Sequence, residues 1–230
     1  DARVVLDDEG KNLVLRKIAG ECEKDLKVFK GNLKKQGYIS EVKSVLSEFT
    51  QYGVDFERLD DFMKEVPPES YLHYKLDDIR TIYEKFEEYL SEKYITKEEM
   101  LDVLSDAVPY SDILKGSVVA MDGFTGFTPV QNRLIGELFS VCEKVMITVT
   151  MDGRENPYVY EHPYQIFALG KQMVTSLMKI AGEKKTEIEE PICLFERPVY
   201  RFRDRSEMAF LETELFRYSG TKYNGSCESV

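Results

Sequence analysis

Residues 117–131, SVVAMDGFTGFTPVQ, are the part of the sequence whose residue types and spacing could do chemistry. The apolar run Val118–Met121 predicts a strand, Asp122 stands at its carboxyl end, and Gly123 and Gly126 make the turn that follows. Thr128, Pro129 and Gln131 then predict a capped helix start, with Thr128 and Gln131 three residues apart as a capping box. A carboxylate at a strand end can hold Mg²⁺ through water, and a second carboxylate beside it can position an attacking water. Gly123 occupies that neighbouring position and can do neither. The phosphate cradle that such chemistry requires, GxxxxGK[ST], is not found in the sequence. The same residues can also be read as a strand, a turn and a helix start that bind nothing, because Asp-Gly after an apolar run is common turn chemistry.

The elements around this segment must position it. Leu134, Ile135, Leu138, Phe139 and Cys142 line one face of the helix that Thr128 opens. Val145–Thr150, VMITVT, reads as a second strand. A strand, a helix and a strand joined by short links predict parallel pairing through a right-handed crossover. In such a sheet ligands sit at the carboxyl ends of the strands, where Asp122 and Asp152 fall. The run Val118–Met121 is expected to be buried on both faces, as parallel strands are. A further helix is expected from Pro163 to Ala181 with Phe167, Val174, Leu177 and Met178 inward, then a charged link at Gly182–Lys185. A strand is expected within Glu187–Phe195, and a last helix over Ser206–Tyr218.

Upstream, residues 1–115 read as wholly helical. Leu15, Ile18, Cys22, Leu26 and Phe29 step by three and four and make one apolar stripe ended by Gly31. Ile39, Val42, Leu46 and Phe49 make a second, closed by Gly53. Phe56, Leu59 and Phe62 begin a short third, stopped by Pro67-Pro68. Leu72, Leu76, Ile79, Tyr83, Phe86 and Leu90 make the longest, and Thr96 with Glu99 predicts a capping box for another helix. The acidic pairs Asp77-Asp78, Glu87-Glu88 and Glu98-Glu99 are expected on solvated faces opposite these stripes.

The chain has 230 residues, room for one large or two small domains. Its net charge of -11 excludes a self-sufficient basic DNA clamp, so any nucleic-acid role needs a local basic patch or a basic partner. Arg201, Arg203 and Arg205 are the candidate phosphate contacts, with a solvated basic link as the competing reading. Tyr158 and Tyr160, in a stretch with Tyr164 and Phe167, are candidate stacking surfaces for bases or packing residues. No apolar run approaches the ~20 residues of a membrane span. Four cysteines, Cys22, Cys142, Cys193 and Cys227, lack any metal-ligand spacing. Cys22 and Cys142 are expected as core thiols in a reducing, cytoplasmic compartment. His73 and His162 read as structural or surface residues. The chain opens at Asp1 without a Met and is expected to be a piece of something longer.

Superfamily 1 helicases follow their magnesium-binding Asp-Glu pair with an aromatic, a Ser or Thr, a Pro and a Gln. Asp122, Phe124, Thr128, Pro129 and Gln131 resemble that motif II, with Gly123 where the Glu belongs. The segment MDGFTGFTPVQNRLI with VMITVTMD is similar to the B subunit of the bacterial AddAB/RexAB-type ATP-dependent helicase–nuclease. LDDEGKNLVLRKIAGE with LKVF, KLDDIRTIYEKFEEYLSEKYITKEEML and SEMAFLETELFRY agree, so the resemblance covers most of the chain.

It implies an α/β, predominantly helical fold. A small parallel sheet would come from a RecA-like (P-loop helicase-like) domain, with an inserted helical subdomain. Residues 1–115 would be the insertion, and 116–230 the second half of the RecA-like domain with a degenerate motif II. It also implies a B subunit of an enzyme of double-strand-break repair by recombination. That subunit would bind the helicase–nuclease A subunit as a heterodimer and guide single-stranded DNA without being the motor. Mg²⁺, a 4Fe-4S cluster and ATP would belong to the longer protein, with no cofactor held by these residues. Met151-Asp152 stands where a motor has Gly-Asp, and no sensor Gln follows. Two other readings stay open: an active superfamily 1 ATPase using a different carboxylate, and a helical adaptor unrelated to DNA.

Overall fold

The computed structural model describes residues 3–227 apart from 34, 92, 195–198, 216 and 218. It is mostly helical with two small parallel sheets. Its contacts define two compact units, residues 1–150 with 157–187, and residues 151–156 with 188–230.

The first unit opens with β1 (Val4–Leu6) and α1 (Asp8–Cys22), whose first turn is closed by the Asp7 carboxylate accepting from the Gly10 amide at 2.7 Å. Helices α2 (Gln36–Tyr52), α3 (Phe56–Glu65) and α4 (Tyr71–Leu90) follow. The ends of α2 and α3 are those the sequence predicts. Gly53 takes the left-handed conformation, φ 63°, that ends α2. Asp55 and Ser70 cap α3 and α4 with their side chains, and α3 stops at Glu65, leaving Val66 extended before Pro67, as the restriction on pre-proline residues requires. Leu15, Ile18 and Cys22 from α1 meet Ile39, Val42, Leu46, Leu59, Ile82 and Phe86 in one apolar core. Phe49 and Phe56 pack their rings on Tyr83 there, and burial pushes the Tyr83 hydroxyl up to about 12.

Three expectations for this half are corrected. It is not wholly helical: β1 pairs in parallel with β2 (Tyr94–Thr96), Val4 opposite Tyr94. Strands of three residues are too short to show a two-residue alternation. The first apolar stripe is not one helix either. Helix α1 ends at Cys22, and Leu26, Phe29 and Leu33 reach the core from a run of turns. The third correction explains the second. Asp78 is no surface charge but 1% exposed, and its carboxylate accepts from the amides of Lys27, Val28 and Phe29 at 2.8, 2.7 and 2.8 Å. Three amides that a continuing helix would have bonded internally are satisfied from α4 instead.

Beyond β2, Thr96 and Glu99 exchange the expected bonds, the Glu99 carboxylate accepting from the Thr96 amide at 2.7 Å. Helix α5 (Glu99–Ala107) follows, then β3 (Val118–Met121), α6 (Pro129–Val141) and β4 (Lys144–Ile147). Strands β3 and β4 are adjacent and parallel, Val118 opposite Lys144 and Met121 opposite Ile147, as the strand–helix–strand spacing predicts. β4 ends at Ile147 rather than Thr150. β3 is not buried on both faces. It alternates, with Val118 56% exposed, because this sheet has only two strands among the described residues.

Helix α7 (Ala168–Lys184) starts five residues later than the periodicity predicts and absorbs the charged link, ending at Lys185 in the left-handed region. Met178 on it is exposed, while Ala168, Met173 and Ala181 are buried. Gly136 lets α6 and α7 approach closely, since a Cβ there would lie 3.2 Å from Ile180 Cγ2.

Residues 187–194 form no strand; Ile192 and Leu194, in the second unit, are exposed. Phe195 lies outside the described residues, as does Tyr218. The last helix, α8 (Ser206–Glu214), is shorter than predicted.

Candidate functional site

The β3–α6 turn is built by strand pairing on one side and helix capping on the other. The Thr148 amide donates to Met121 O at 3.0 Å and so extends the ladder one step past β4. This brings the Thr148 hydroxyl onto Asp122 Oδ1, to which it donates. Asp122 is exposed at the carboxyl end of β3, where the sequence predicts a ligand edge. Thr148 was not singled out by sequence reasoning. Its signal is its place as the first residue after the β4 ladder, one strand away from Asp122.

At the helix side, the Thr128 amide donates to Gln131 Oε1 at 2.9 Å and the Gln131 amide donates to Thr128 Oγ1 at 3.3 Å. The Gln131 side chain is thereby engaged in capping α6. Pro129 is the first helical residue, where its missing N–H costs nothing. Phe124 and Phe127 pack with tilted rings, their centroids 5.0 Å apart, across the turn.

Gly123 has φ 81°, in the left-handed region, with open space where a Cβ would stand. The position lacks a carboxylate, and its backbone is also in a conformation that an L side chain adopts at a cost. Gly123→Ala and Gly123→Glu are expected to lower the unfolding free energy by the same amount, about 1 kcal/mol. Urea denaturation checks this; a Glu variant as stable as the parent would show that the turn re-forms freely.

The other candidates stand on other segments of the chain. Tyr158 and Tyr160 are about two-fifths exposed in the first unit, and His162 stacks on the neighbouring Tyr164 at 5.0 Å. Arg201, Arg203 and Arg205 are exposed in the second unit. There Arg203 lies 4.1 Å over the Tyr200 ring and Arg201 faces Phe202. Asp152 is gripped by both Arg154, bidentate at 2.9 and 2.8 Å, and Arg217. Its carboxylate closes the 151–156 loop against the end of α8.

Cys22 is buried, its thiol donating to Ile18 O at 3.0 Å, and burial pushes its pKa up. Cys142 is half-buried at the end of α6, and Cys193 and Cys227 are exposed. Among the described residues no three His, Cys, Asp or Glu side chains gather as metal ligands. No described helix is long and apolar enough to cross a membrane.

These features define a predominantly helical α/β chain with a parallel β–α–β unit whose strand-end aspartate stands beside a glycine. The chain belongs to the family described as ADDB, N-terminal, which it matches over residues 1–212. It is 38% identical over 220 residues to the B subunit of the ATP-dependent helicase/deoxyribonuclease of Lachnoclostridium phytofermentans, a match covering 94% of this chain and 19% of that protein. The B subunits of the same name from Thermoanaerobacter sp. strain X514 and Clostridium acetobutylicum are 34% and 31% identical, over 96% and 94% of this chain. The chain thus spans about a fifth of the length of these relatives, 19%, 19% and 18%.

Proposed function

We propose that this chain is the helicase-like, non-hydrolysing part of a B subunit in an ATP-dependent helicase/deoxyribonuclease that acts in double-strand-break repair by recombination. In this reading it is a scaffold for the A subunit of a cytoplasmic heterodimer and a guide for single-stranded DNA. The parallel β3–α6–β4 unit is part of a RecA-like domain running over residues 116–230, and residues 1–115 are the helical insertion. Mg²⁺, ATP and the iron–sulfur cluster act elsewhere in the longer protein. One observation carries the reading. The residue beside Asp122, where a motor needs a carboxylate to position water, is a glycine in a left-handed turn. The relatives, each by name the B subunit of a helicase/deoxyribonuclease, support it.

The net charge of -11 opposes phosphate attachment, and Arg201, Arg203 and Arg205 are the local basic cluster that could offset it. Binding of labelled single strands by this chain is therefore expected in the non-specific range, roughly 10⁻⁴–10⁻⁶ M at physiological salt, and to weaken as salt rises. Fluorescence anisotropy with strands of varied sequence measures it. Nanomolar, salt-resistant binding would make the chain a complete DNA-binding module and overturn the scaffold reading. Phosphate release from ATP by the purified chain, abolished by Asp122→Asn, would favour an active ATPase instead.

A further inference from the structure

We propose that the turns between α1 and α2, with the neighbouring face of α4, bind single-stranded DNA, Lys24, Lys30 and Lys35 meeting its phosphates and Tyr38 and Tyr71 its bases. The surface lies in the first unit and rests on the reading of the chain as a guide for single strands. Residues 26–40 hold four lysines and neither Asp nor Glu, in a chain whose net charge is -11. With the flanking Glu23, Asp25 and Glu41 counted, residues 23–41 still carry +2, five lysines against three acids.

The turns sort their side chains by depth. Leu26, Phe29 and Leu33 are buried in the core, while Lys24, Lys27, Lys30 and Lys35 are exposed. Asp78 fixes the backbone between them through the amides of Lys27, Val28 and Phe29. The lysines are thus displayed from ordered chain, which lessens the entropy lost when a ligand binds. Asp77 of α4, the acid beside these turns, is taken up by Lys27 at 3.0 Å. Among the described residues Lys24 and Lys30 hold no carboxylate, and Lys35 donates to the Asn32 side chain at 3.3 Å. By contrast, Lys64, Lys115 and Lys179 each stand beside an acid three or four residues away, Asp61, Asp112 and Glu183.

Lysines alone fit any polyanion; the rings beside them choose among polyanions. Lys27 Nζ lies 4.7 Å over the Tyr74 ring and Lys35 Nζ 5.9 Å over the Tyr38 ring, within reach of cation–π attraction. Tyr71, three residues before Tyr74, falls on the same side of α4 and is 72% exposed, and Tyr38 is 41% exposed. Cations for the backbone and open aromatic faces for the bases are the combination that holds single strands without reading their sequence. An acidic protein would engage the lysines and leave the rings idle, and a duplex hides the faces of its bases.

Fluorescence anisotropy of this chain with a labelled single strand, between about 50 and 200 mM salt, tests the surface. Lys24→Gln, Lys30→Gln and Lys35→Gln combined should weaken binding at least about tenfold at the lower salt and reduce the log–log salt slope by about 2, three contacts at about 0.7 each. The charge-matched triple of Lys64→Gln, Lys115→Gln and Lys179→Gln should change binding less than about twofold. Tyr38→Ala with Tyr71→Ala should weaken binding at least about fivefold, yet leave an abasic strand of the same length bound as before. Equal losses in the two lysine triples, parent-like binding by the first triple or by the tyrosine pair, or competition by polyglutamate as strong as by the strand would each overturn the proposal. If binding survives the first triple but falls with Arg201→Gln, Arg203→Gln and Arg205→Gln combined, the guide reading stands and this surface is lost. A parent chain that binds no strand overturns both.

Discussion

Asp78→Ala is expected to lower the unfolding free energy of the first unit by about 3–5 kcal/mol. The carboxylate accepts from three amides, those of Lys27, Val28 and Phe29, at no more than 2.8 Å. Hydrogen bonds to a charged acceptor contribute about 1.5–3 kcal/mol each, and a buried donor left without a partner bears its whole desolvation cost. These terms are not additive, which sets the expectation below their sum. The loss also frees the turn that carries Leu26, Phe29 and Leu33 into the core. A domain stable by only about 5–15 kcal/mol would be brought close to unfolding. Asp78→Asn, which keeps one acceptor oxygen, should fall between the parent and the Ala variant. Asp77→Ala, one residue away on the open face, should barely move the transition. Urea unfolding followed by circular dichroism makes the comparison. A change below about 1 kcal/mol for Asp78→Ala would show that the turn draws its order from elsewhere.

Lys11→Met should cost about 3 kcal/mol at pH 7. Lys11 is 2% exposed, and its ammonium is shared between Glu98 at 2.7 Å and Ser47 Oγ at 3.3 Å. Burial alone would raise the Glu98 carboxyl. Hydrogen bonds from Lys11, its own backbone and Ser47, with the Lys11 charge, outweigh burial and hold it below the usual range. A carboxylate depressed in this way stabilises the fold above its unfolded pKa and loses that contribution as pH falls through the folded value. Without Lys11, burial is opposed only by the hydrogen bonds from the Glu98 backbone and Ser47, so Glu98 takes up a proton more readily. The deficit of Lys11→Met should therefore shrink below about pH 4.5. The double variant Lys11→Met with Glu98→Gln should recover much of the loss at pH 7, because what is costly is a buried charge without its partner. Thermal and urea unfolding at pH 4 and pH 7 separate these outcomes. An equal deficit at both pH values, or no recovery in the double variant, would place the effect in lost packing of the lysine stem.

Local rules account for the part of the fold that was legible beforehand. Gly53 ends α2, and Thr128, Pro129 and Gln131 start α6, because each acts through bonds spanning three or four residues. The parallel pairing of β3 and β4 belongs to the same class, since a strand, a short link, a helix and a strand leave one right-handed way to close. Asp122 could be placed at a strand end on these grounds, and Gly123 in the turn beside it. The φ of 81° at Gly123 and the Thr148 hydroxyl on Asp122 could not, because both arise only once β4 lies against β3.

The remaining features depend on partners far along the chain. The sequence shows an acidic pair at 77–78 and an apolar stripe continuing through Leu26 and Phe29, and both patterns are ambiguous taken singly. They resolve together, when α4 brings Asp78 onto the amides of residues 27–29 across a separation of 49 to 51 residues. Lys11 meets Glu98 across 87 residues, and β1 meets β2 over a similar span. Whether a charge on a helix faces water or a buried partner is decided by which helix packs opposite it. A pattern confined to one helix cannot carry that information, because burial of a carboxylate becomes favourable only when distant donors arrive to satisfy it.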